Sequence, residues 1–285
     1  MSRVGIVTDS TNCIPPELLK QYDICVAPVG MIINNKVYRD LVDITLAEFK
    51  EMSKTLTEQP KTSAANPGDF VNLFRELSQS TSDILCILVS RALTATHESA
   101  YQAKRIVRQE NPGLNIEIID SRTSVGALGF IVIEAARAAN EGKSLKEVLS
   151  VAEEMVQRVI YMASLETLNY LINIGRAPKI TSIGEWLNVK PIIGFVDDTG
   201  QVEVIARVRN RQKSLSTLVD LVDKYVDTGQ PLHMMVHYSN GIEQGEELRD
   251  MLMSRYNCVE MHLSEYSPVM VGAAGPLIGL SVYSD

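Results

Sequence analysis

The sequence predicts an α/β fold, in which an N-terminal, three-layer α/β domain with a mostly parallel sheet precedes a smaller C-terminal α+β domain. Over the first two thirds of the 285-residue chain, short runs rich in Val and Ile alternate with segments of helical periodicity, which is typical of parallel strands buried on both faces. A turn at Thr199 and Gly200 between two apolar runs indicates a hairpin, so we expect antiparallel pairing to begin after residue 161. Hydrophobic residues make up 45% of the chain, which is enough for a core of this size.

Three predicted strands of the first domain end in polar side chains. The strands cover residues 4–7, 84–89 and 116–119, and the residues that follow them are Thr8, Asp9, Ser10 and Thr11, then Ser90, then Asp120 and Ser121. Open α/β sheets bind ligands in the crevice outside the carboxyl ends of their strands. We therefore expect these polar ends to meet at a ligand crevice.

The best specified helix of this domain begins at Asn66 and Pro67. Asn66 is a favourable N-cap and Pro67 suits the first helical position, and the apolar residues that follow have helical spacing: Phe70, Leu73, Phe74 and Leu77. Further amphipathic helices are predicted near residues 96–108, after Ser121 and near residues 145–156.

After Tyr161 the pattern changes to that of an α+β domain. A strand, a short helix and the hairpin come first, and helices near residues 214–226 and 243–256 then alternate with strands near 232–238 and 259–266. This change predicts two domains, residues 1–160 and residues 161–285.

Residues 266–284 carry no formal charge and approach the roughly 18 apolar residues that a membrane span requires. Prolines and glycines interrupt the segment at Pro268, Gly272, Gly275, Pro276 and Gly279. We therefore predict a strand, a glycine-rich loop and a second strand instead of a transmembrane helix.

Composition argues against several classes of function. The net charge of −8 and the isoelectric point of about 5.2 do not favour non-specific binding to nucleic acid or anionic membranes. The four cysteines include no C-x-x-C pair and the N-terminus has no secretory signal, so a cytoplasmic location is expected. The four histidines lack metal-ligand spacing, and nucleotide-binding and hydrolase motifs are missing, so neither a metal nor a cofactor is predicted.

Two loops are candidates for binding an anion. Thr62 and Ser63 precede the helix start at Asn66, where free N–H groups and the helix dipole favour negative charge. Thr94 follows the strand at residues 84–89 and should lie in the same crevice. Both loops could instead only shape and cap their helices, and this alternative stays open.

Arginines provide two further candidates. Gly175 closes a short helix, so Arg176 could project its guanidinium between the two domains, or could only interact with the helix dipole. Arg207, Arg209, Arg211 and Lys213 are spaced by two, so in a strand they would share one face. That face is either solvated or a docking surface for an acidic partner.

Taken together, these segments resemble the DegV family over essentially the whole chain. The resemblance depends on the order and spacing of the motifs, which are Val-Thr-Asp-Ser-Thr at 7–11, Lys-Thr-Ser-x-x-x-Pro-Gly-Asp-Phe at 61–70, Leu-Thr-Ala-Thr-x-x-Ser-Ala at 93–100, Ile-Asp-Ser at 119–121, Leu-x-x-Leu-x-x-x-Gly-Arg at 168–176, Lys-Pro-Ile-Ile at 190–193 and Gly-Pro at 275–276.

The resemblance implies a non-catalytic carrier that holds a long-chain fatty acid in a cleft between the two domains, with the tail in an apolar tunnel. Some members of the family present the bound acid to a partner fatty acid kinase. Carried over to this chain, the carboxylate should meet the hydroxyls of Thr62 and Thr94, with Ser63 and Arg176 nearby. The basic run that includes Arg207, Arg209 and Arg211 would then be a candidate kinase-docking face.

This chain departs from the family pattern at several positions. Ala64 and Ala65 replace the usual Gln-Pro, Thr94 and Ala95 replace Ser-Gly, and Arg91 and Ala92 stand where small residues are common. Ala273 is a further candidate contact of the ligand, and it occupies the position at which many members carry a histidine. Its methyl group supplies no hydrogen-bond donor, so we expect binding of the acid more than delivery to a kinase.

Two alternatives stay open at this point. A phosphotransfer-related enzyme acting on a small molecule would need a reactive histidine near the crevice, and His97 is the one closest to a proposed ligand loop. A pure protein-interaction module would instead use the surface from Arg207 to Lys213, and any bound lipid would be incidental.

Overall fold

The computed structural model describes residues 3–178 and 189–285, and within them thirteen strands form three sheets. The strands are β1 (Gly5–Asp9), β2 (Ile24–Ala27), β3 (Gly30–Ile33), β4 (Lys36–Arg39), β5 (Lys61–Ser63), β6 (Asp83–Leu88), β7 (Asn115–Asp120), β8 (Ile160–Leu165), β9 (Lys190–Phe195), β10 (Glu203–Val208), β11 (Leu232–Tyr238), β12 (Cys258–Glu265) and β13 (Leu277–Ser284). The described helices are α1 (Pro16–Gln21), α2 (Leu46–Ser53), α3 (Pro67–Leu77), α4 (Thr96–Glu110), α5 (Val125–Asn140), α6 (Leu145–Arg158), α7 (Asn169–Asn173), α8 (Arg211–Tyr225), α9 (Ile242–Arg255) and α10 (Pro268–Ala274).

The Val- and Ile-rich runs of the first half form a four-stranded parallel sheet in the order β2-β1-β6-β7. β6 is an inner strand, and every residue of it except Asp83 is buried. The predicted parallel sheet is therefore confirmed. The helix expected after it is confirmed as well, since α3 begins at Pro67 and the Asn66 side chain accepts a hydrogen bond from the N–H of Gly68 at 2.7 Å.

The second sheet has six strands in the order β10-β9-β8-β13-β11-β12. Its pairs are antiparallel except for β11 with β12, and the predicted hairpin is confirmed as the β9–β10 pair. α5 packs on strands of both sheets, and all but three of its sixteen residues are buried. Because one core cluster extends through α5 to both sides of residue 160, the division into domains at that residue stays a prediction.

A third, three-stranded sheet in the order β4-β3-β5 is antiparallel. The expectation that antiparallel pairing begins only after residue 161 is therefore wrong. These strands have three or four residues each, and β4 is largely exposed, so they carry too little hydrophobic periodicity to be recognised in the sequence. The sheet matters for function because it positions Thr62 and Ser63.

The predicted glycine-rich loop after Tyr266 is wrong, because residues Pro268–Ala274 form α10. Pro268 occupies the first helical position, where its missing N–H is not needed, and Gly275 ends the helix with φ +74°. The strand predicted after it is β13, which is buried along nearly its whole length. Among the described residues, we find no helix that is both long and apolar enough to cross a membrane.

Candidate functional site

An apolar cavity lies among the carboxyl ends of β1 and β6, the start of α5, strand β5, helices α7 and α10, and the β8–β9 region. Its empty volume, which includes open solvent at the mouth, is about 760 Å³. Most of its wall is aliphatic or aromatic, with contributions from Val89, Leu171, Ile193, Phe195, Met270 and Leu277.

The structure brings all five predicted ligand-binding residues to this one cavity, namely Thr62, Ser63, Thr94, Arg176 and Ala273. Arg176 is positioned by the end of α7. Gly175, with φ +71°, donates to the carbonyl of Ile172 at 3.0 Å, and Arg176 donates its own N–H to Leu171 at 2.8 Å. These two bonds form a Schellman motif, which confirms that Gly175 closes a helix.

The Arg176 guanidinium is the principal polar group of the cavity. Its Nη1 donates to Thr62 Oγ1 at 2.8 Å, and its Nε donates to the carbonyl oxygen of Leu93. Burial lowers the pKa of Arg176, although an arginine stays protonated at neutral pH. Within residues 3–178 and 189–285, no carboxylate pairs with it. A half-buried cation of this kind favours an anionic ligand.

Ser63 lies beside Arg176's partner Thr62 on β5, and its position depends on Gly30 in the neighbouring strand. The two residues are paired in register, and a Cβ atom at Gly30 would lie only 2.1 Å from Ser63 Oγ. Glycine at position 30 thus leaves room for the serine side chain.

Thr94 helps to cap a helix and also borders the cavity. Its hydroxyl lies 3.0 Å from Thr96 Oγ1 and accepts from the Thr96 N–H at 3.3 Å, so it helps to start α4. The same side chain borders the cavity next to Leu93, which holds Arg176. We call the group formed by Thr62, Ser63, Thr94 and Arg176 the arginine end of the cavity. Ligand binding by these residues stays a prediction.

Three further polar residues line the cavity, namely Thr11, Ser124 and Tyr161. Thr11 is one of the polar strand ends expected at the crevice, whereas Ser124 and Tyr161 were missed by the sequence prediction. Tyr161 resembles an ordinary core aromatic in the sequence, and its hydroxyl lies 2.8 Å from that of Tyr266. Ser124 follows the end of β7, so the strand-end rule that located Thr11 and Thr94 could have located it too.

Asp9 and Ser10 have structural roles. Asp9 is fully buried and accepts from the N–H and hydroxyl of Thr11 and from the N–H of Val89, which joins the ends of β1 and β6. Burial raises the pKa of Asp9, and these hydrogen bonds oppose that effect. These contacts account for Asp9 as a structural carboxylate.

His97, on which the enzyme alternative depended, does not line the cavity. It is 1% exposed, and its Nε2 lies 3.0 Å from the carbonyl oxygen of Val89. Burial lowers its pKa, so the imidazole is neutral and occupied with a backbone contact.

Asp40 connects the third sheet to the cavity wall. Its carboxylate accepts from Ser10 Oγ at 2.8 Å and from the N–H of Val269, in the first turn of α10, at 3.0 Å. Burial raises the pKa of Asp40 to about 6. Because Asp40 bonds to Val269, which lines the cavity, the protonation state of Asp40 should affect this part of the cavity wall.

Asp40 should make folding stability depend on pH. Because its folded pKa of about 6 lies above the usual 3.8, protonation favours the folded state, and this stabilisation is complete below pH 3.8 and lost as the pH rises through 6. The difference corresponds to roughly 3 kcal/mol. Urea unfolding between pH 4 and pH 8 should show this dependence in the wild type and not in Asp40→Asn, whose amide oxygen still accepts from Val269. If the free energy of unfolding depends on pH in the same way in both proteins, Asp40 is not the cause of that dependence.

The basic run at residues 207–213 is not a strand, so its side chains do not share one strand face. β10 ends at Val208, and α8 begins at Arg211 because the Asn210 side chain accepts from the N–H of Lys213 at 2.8 Å. Arg207, Arg209 and Arg211 are exposed and do not line the cavity, and Arg211 pairs with Glu247 at 2.5 Å. A docking role for this surface stays a prediction.

A parallel sheet, a mixed sheet and an apolar cavity with one cationic end define an α/β protein with an internal ligand cavity. The family model described as an uncharacterised protein of the DegV family matches residues 3–285, and the chain belongs to the DegV family.

Relatives and solved structures cover most of the chain. A DegV domain-containing protein of Caldanaerobacter subterraneus subsp. tengcongensis is 35% identical over 77% of this chain and 76% of its own length. Another, from Clostridium acetobutylicum, is 29% identical over 99% of this chain and 98% of its own length.

Two solved structures superpose closely. One is described as fatty acid binding of a DegV family protein from Thermus thermophilus, with a TM-score of 0.89 and 27% identity over 99% of this chain and all of that one. The other is a stearic acid-binding protein from Eubacterium ventriosum, with a TM-score of 0.90 and 25% identity over 99% of this chain and 98% of that one.

Proposed function

We propose that this protein binds a long-chain fatty acid in the cavity, with the carboxylate at the arginine end and the tail among the apolar residues. The observation that carries the proposal is the half-buried guanidinium of Arg176, which has no carboxylate partner in the described part of the chain and lies at one end of an apolar cavity.

The acyl chain and the carboxylate contribute differently to the binding free energy. Each buried methylene contributes about 0.8 kcal/mol, so a long acyl chain provides most of the binding free energy. A hydrogen bond to a charged group contributes about 1.5–3 kcal/mol, which orients the chain and favours the acid over uncharged lipids. The descriptions of the Thermus and Eubacterium proteins as fatty-acid binding support this assignment.

Organic extraction followed by mass spectrometry tests the proposal. Protein purified from bacteria should contain fatty acid near one molecule per chain, and a delipidated sample should regain it when supplied with the acid. If both the purified and the supplemented protein lack fatty acid, the proposal is wrong.

A non-catalytic carrier is the form of this function that the cavity supports best. Among the described residues, the wall includes no histidine, carboxylate, lysine or cysteine. Its one tyrosine, Tyr161, is bonded to Tyr266, and burial raises the pKa of Tyr161, so the wall offers no side chain suited to act as a general base. Delivery of the acid to a fatty acid kinase belongs to the same proposal, as does a cytoplasmic location, with which the four free cysteines agree.

The position of Ala273 offers a test of the head-group geometry. Ala273→His should place an N–H donor on the cavity wall and tighten fatty-acid binding by up to roughly tenfold, the equivalent of one added hydrogen bond. Displacement of a fluorescent fatty acid measures the change. Ala273→Leu adds bulk without a donor and should not tighten binding. Equal effects of both substitutions would show that the carboxylate lies elsewhere.

The arginines after β10 would form the kinase-docking surface. Arg209→Glu should reduce phosphorylation of the bound acid by a fatty acid kinase several-fold, because it places a negative charge on an exposed basic surface. Fatty-acid content should not change. Lys224→Glu, on the last turn of α8, is the matched control. Unchanged phosphorylation in Arg209→Glu would remove this surface from the proposal.

A further inference from the structure

A second polar region of the cavity wall lies where α5 begins. Ser124 and Val125 line the cavity here, and Thr11 lines it from the turn after β1. These residues follow the carboxyl ends of β7 and β1, whereas the arginine end is formed by β5, the loop after β6 and the segment after α7. The cavity therefore has polar groups from two separate sets of elements.

Ser124 is a buried residue whose side chain has no hydrogen-bond partner among the described residues. The residue is only 2% exposed, and within the described ranges its side chain makes no hydrogen bond, not even to the first turn of its own helix. Polar groups in protein interiors are nearly always satisfied, and an unsatisfied one costs free energy. A hydroxyl of this kind on a cavity wall indicates a partner that belongs to the cavity's occupant.

The start of α5 adds donors to this hydroxyl. The helix has sixteen residues and no side-chain cap, and the N–H groups of its first turn have no acceptor inside the helix. They lie next to Ser124 and Val125, so this region offers hydrogen-bond donors and the positive end of a helix dipole.

The arginine end and the start of α5 differ in charge, so they suit different parts of one ligand. Arg176 carries a full charge without a carboxylate partner in the described chain, and the helix dipole is equivalent to about half a charge, so the carboxylate belongs at Arg176. Ser124 and the start of α5 then face the acyl chain. A plain hydrocarbon leaves them unsatisfied, and an oxygen atom on the chain would satisfy them.

We propose that Ser124 and the first turn of α5 bind an oxygen function on the acyl chain, a hydroxyl or keto group, so that the cavity accepts oxygenated fatty acids. This inference rests on the proposed function, since it assumes that the carboxylate lies at the arginine end. Thr11 Oγ1, which donates to Asp9 at 2.6 Å, can still accept a hydrogen bond from a hydroxyl on the ligand.

The test compares stearic acid with a series of monohydroxystearic acids in the wild type and in Ser124→Ala, by displacement of a fluorescent fatty acid. For at least one hydroxyl position, Ser124→Ala should weaken binding at least fivefold while stearic acid binds as well as before. Ser124→Thr keeps the hydroxyl and should retain the preference. Because stearic acid binding reports on folding, a misfolded variant is recognised directly.

Two results would overturn the inference. If Ser124→Ala changes the affinities for stearic acid and for every hydroxystearic acid by the same factor, or changes none of them, then Ser124 bonds only to water. If the wild type binds neither kind of acid, the proposed function itself fails, and this outcome is distinct from a loss of selectivity alone.

Discussion

Replacing Arg176 with leucine is expected to weaken fatty-acid binding by at least about 100-fold without destabilising the protein. The substitution removes the charged donor at the arginine end and would leave a carboxylate unpaired in an apolar cavity. Folding should tolerate it, because the guanidinium has no ion-pair partner among the described residues and its burial lowers its pKa. Relief of the desolvation cost of this half-buried charge offsets the loss of its hydrogen bonds to Thr62 and Leu93.

A comparison of ligands separates the charge from the tail. Displacement assays with a fatty acid and with the alcohol of the same length should show a large loss for the acid in Arg176→Leu and little change for the alcohol. Thr62→Val, which removes the hydroxyl bonded to Nη1, should give a smaller loss of roughly tenfold. Equal losses for acid and alcohol would show that Arg176 shapes the cavity and does not bind the carboxylate.

Replacing Glu260 with glutamine is expected to lower the free energy of unfolding by about 3 kcal/mol at pH 7. Glu260 on β12 accepts two hydrogen bonds from Arg137 on α5, at 2.6 and 3.1 Å, and lies 2.7 and 2.8 Å from ring nitrogens of His233 and His262. Its side chain is 13% exposed. The substitution leaves Arg137 and both histidines without their shared anion.

The pKa of Glu260 determines the pH range in which this residue stabilises the protein. Burial by itself would raise the pKa of Glu260, but the hydrogen bonds from His262, Arg137 and His233 lower it well below its usual range. The stabilisation is therefore present above pH 4.5 and is lost as the pH falls through the depressed pKa. Urea unfolding should show the difference between wild type and Glu260→Gln shrinking in acid. Glu153→Gln, an exposed carboxylate on α6, is the control, and an equal effect of both substitutions would contradict the account of Glu260.

The elements that the sequence predicted correctly are those with a strong local signal. β6 and α3 show this, since an inner parallel strand is apolar on both faces and Asn66 with Pro67 defines a helix start. α10 was missed because Pro268 and Gly272 resemble helix breakers. Gly272 is in fact a close-packing position, where a Cβ atom would lie 3.0 Å from Met31 Sδ.

Only part of the candidate site could be predicted from the sequence. Thr62, Thr94 and Arg176 could be named from strand ends, helix caps and the family resemblance, and all three line the cavity. The three-stranded sheet that carries Thr62 was not predicted. Asn34 and Asn35 between β3 and β4 are a hairpin signal that could have located those two strands, but the pairing of β5 with β3 is distant in sequence and leaves no local pattern. Ser124 was missed because a serine before a helix is most often a cap, and only the structure shows that its hydroxyl makes no capping bond.

The position of the carboxylate in the cavity tests fatty-acid binding at Arg176 most directly. A crystal structure with a long-chain acid that carries bromine on its terminal carbon would locate the tail by anomalous scattering and the carboxylate by ordinary density. We expect the carboxylate about 2.7–3.2 Å from the Arg176 guanidinium or the Thr62 hydroxyl, and the bromine among apolar residues. Bromine next to Arg176, or a cavity that stays empty in the presence of excess acid, would contradict the proposed function.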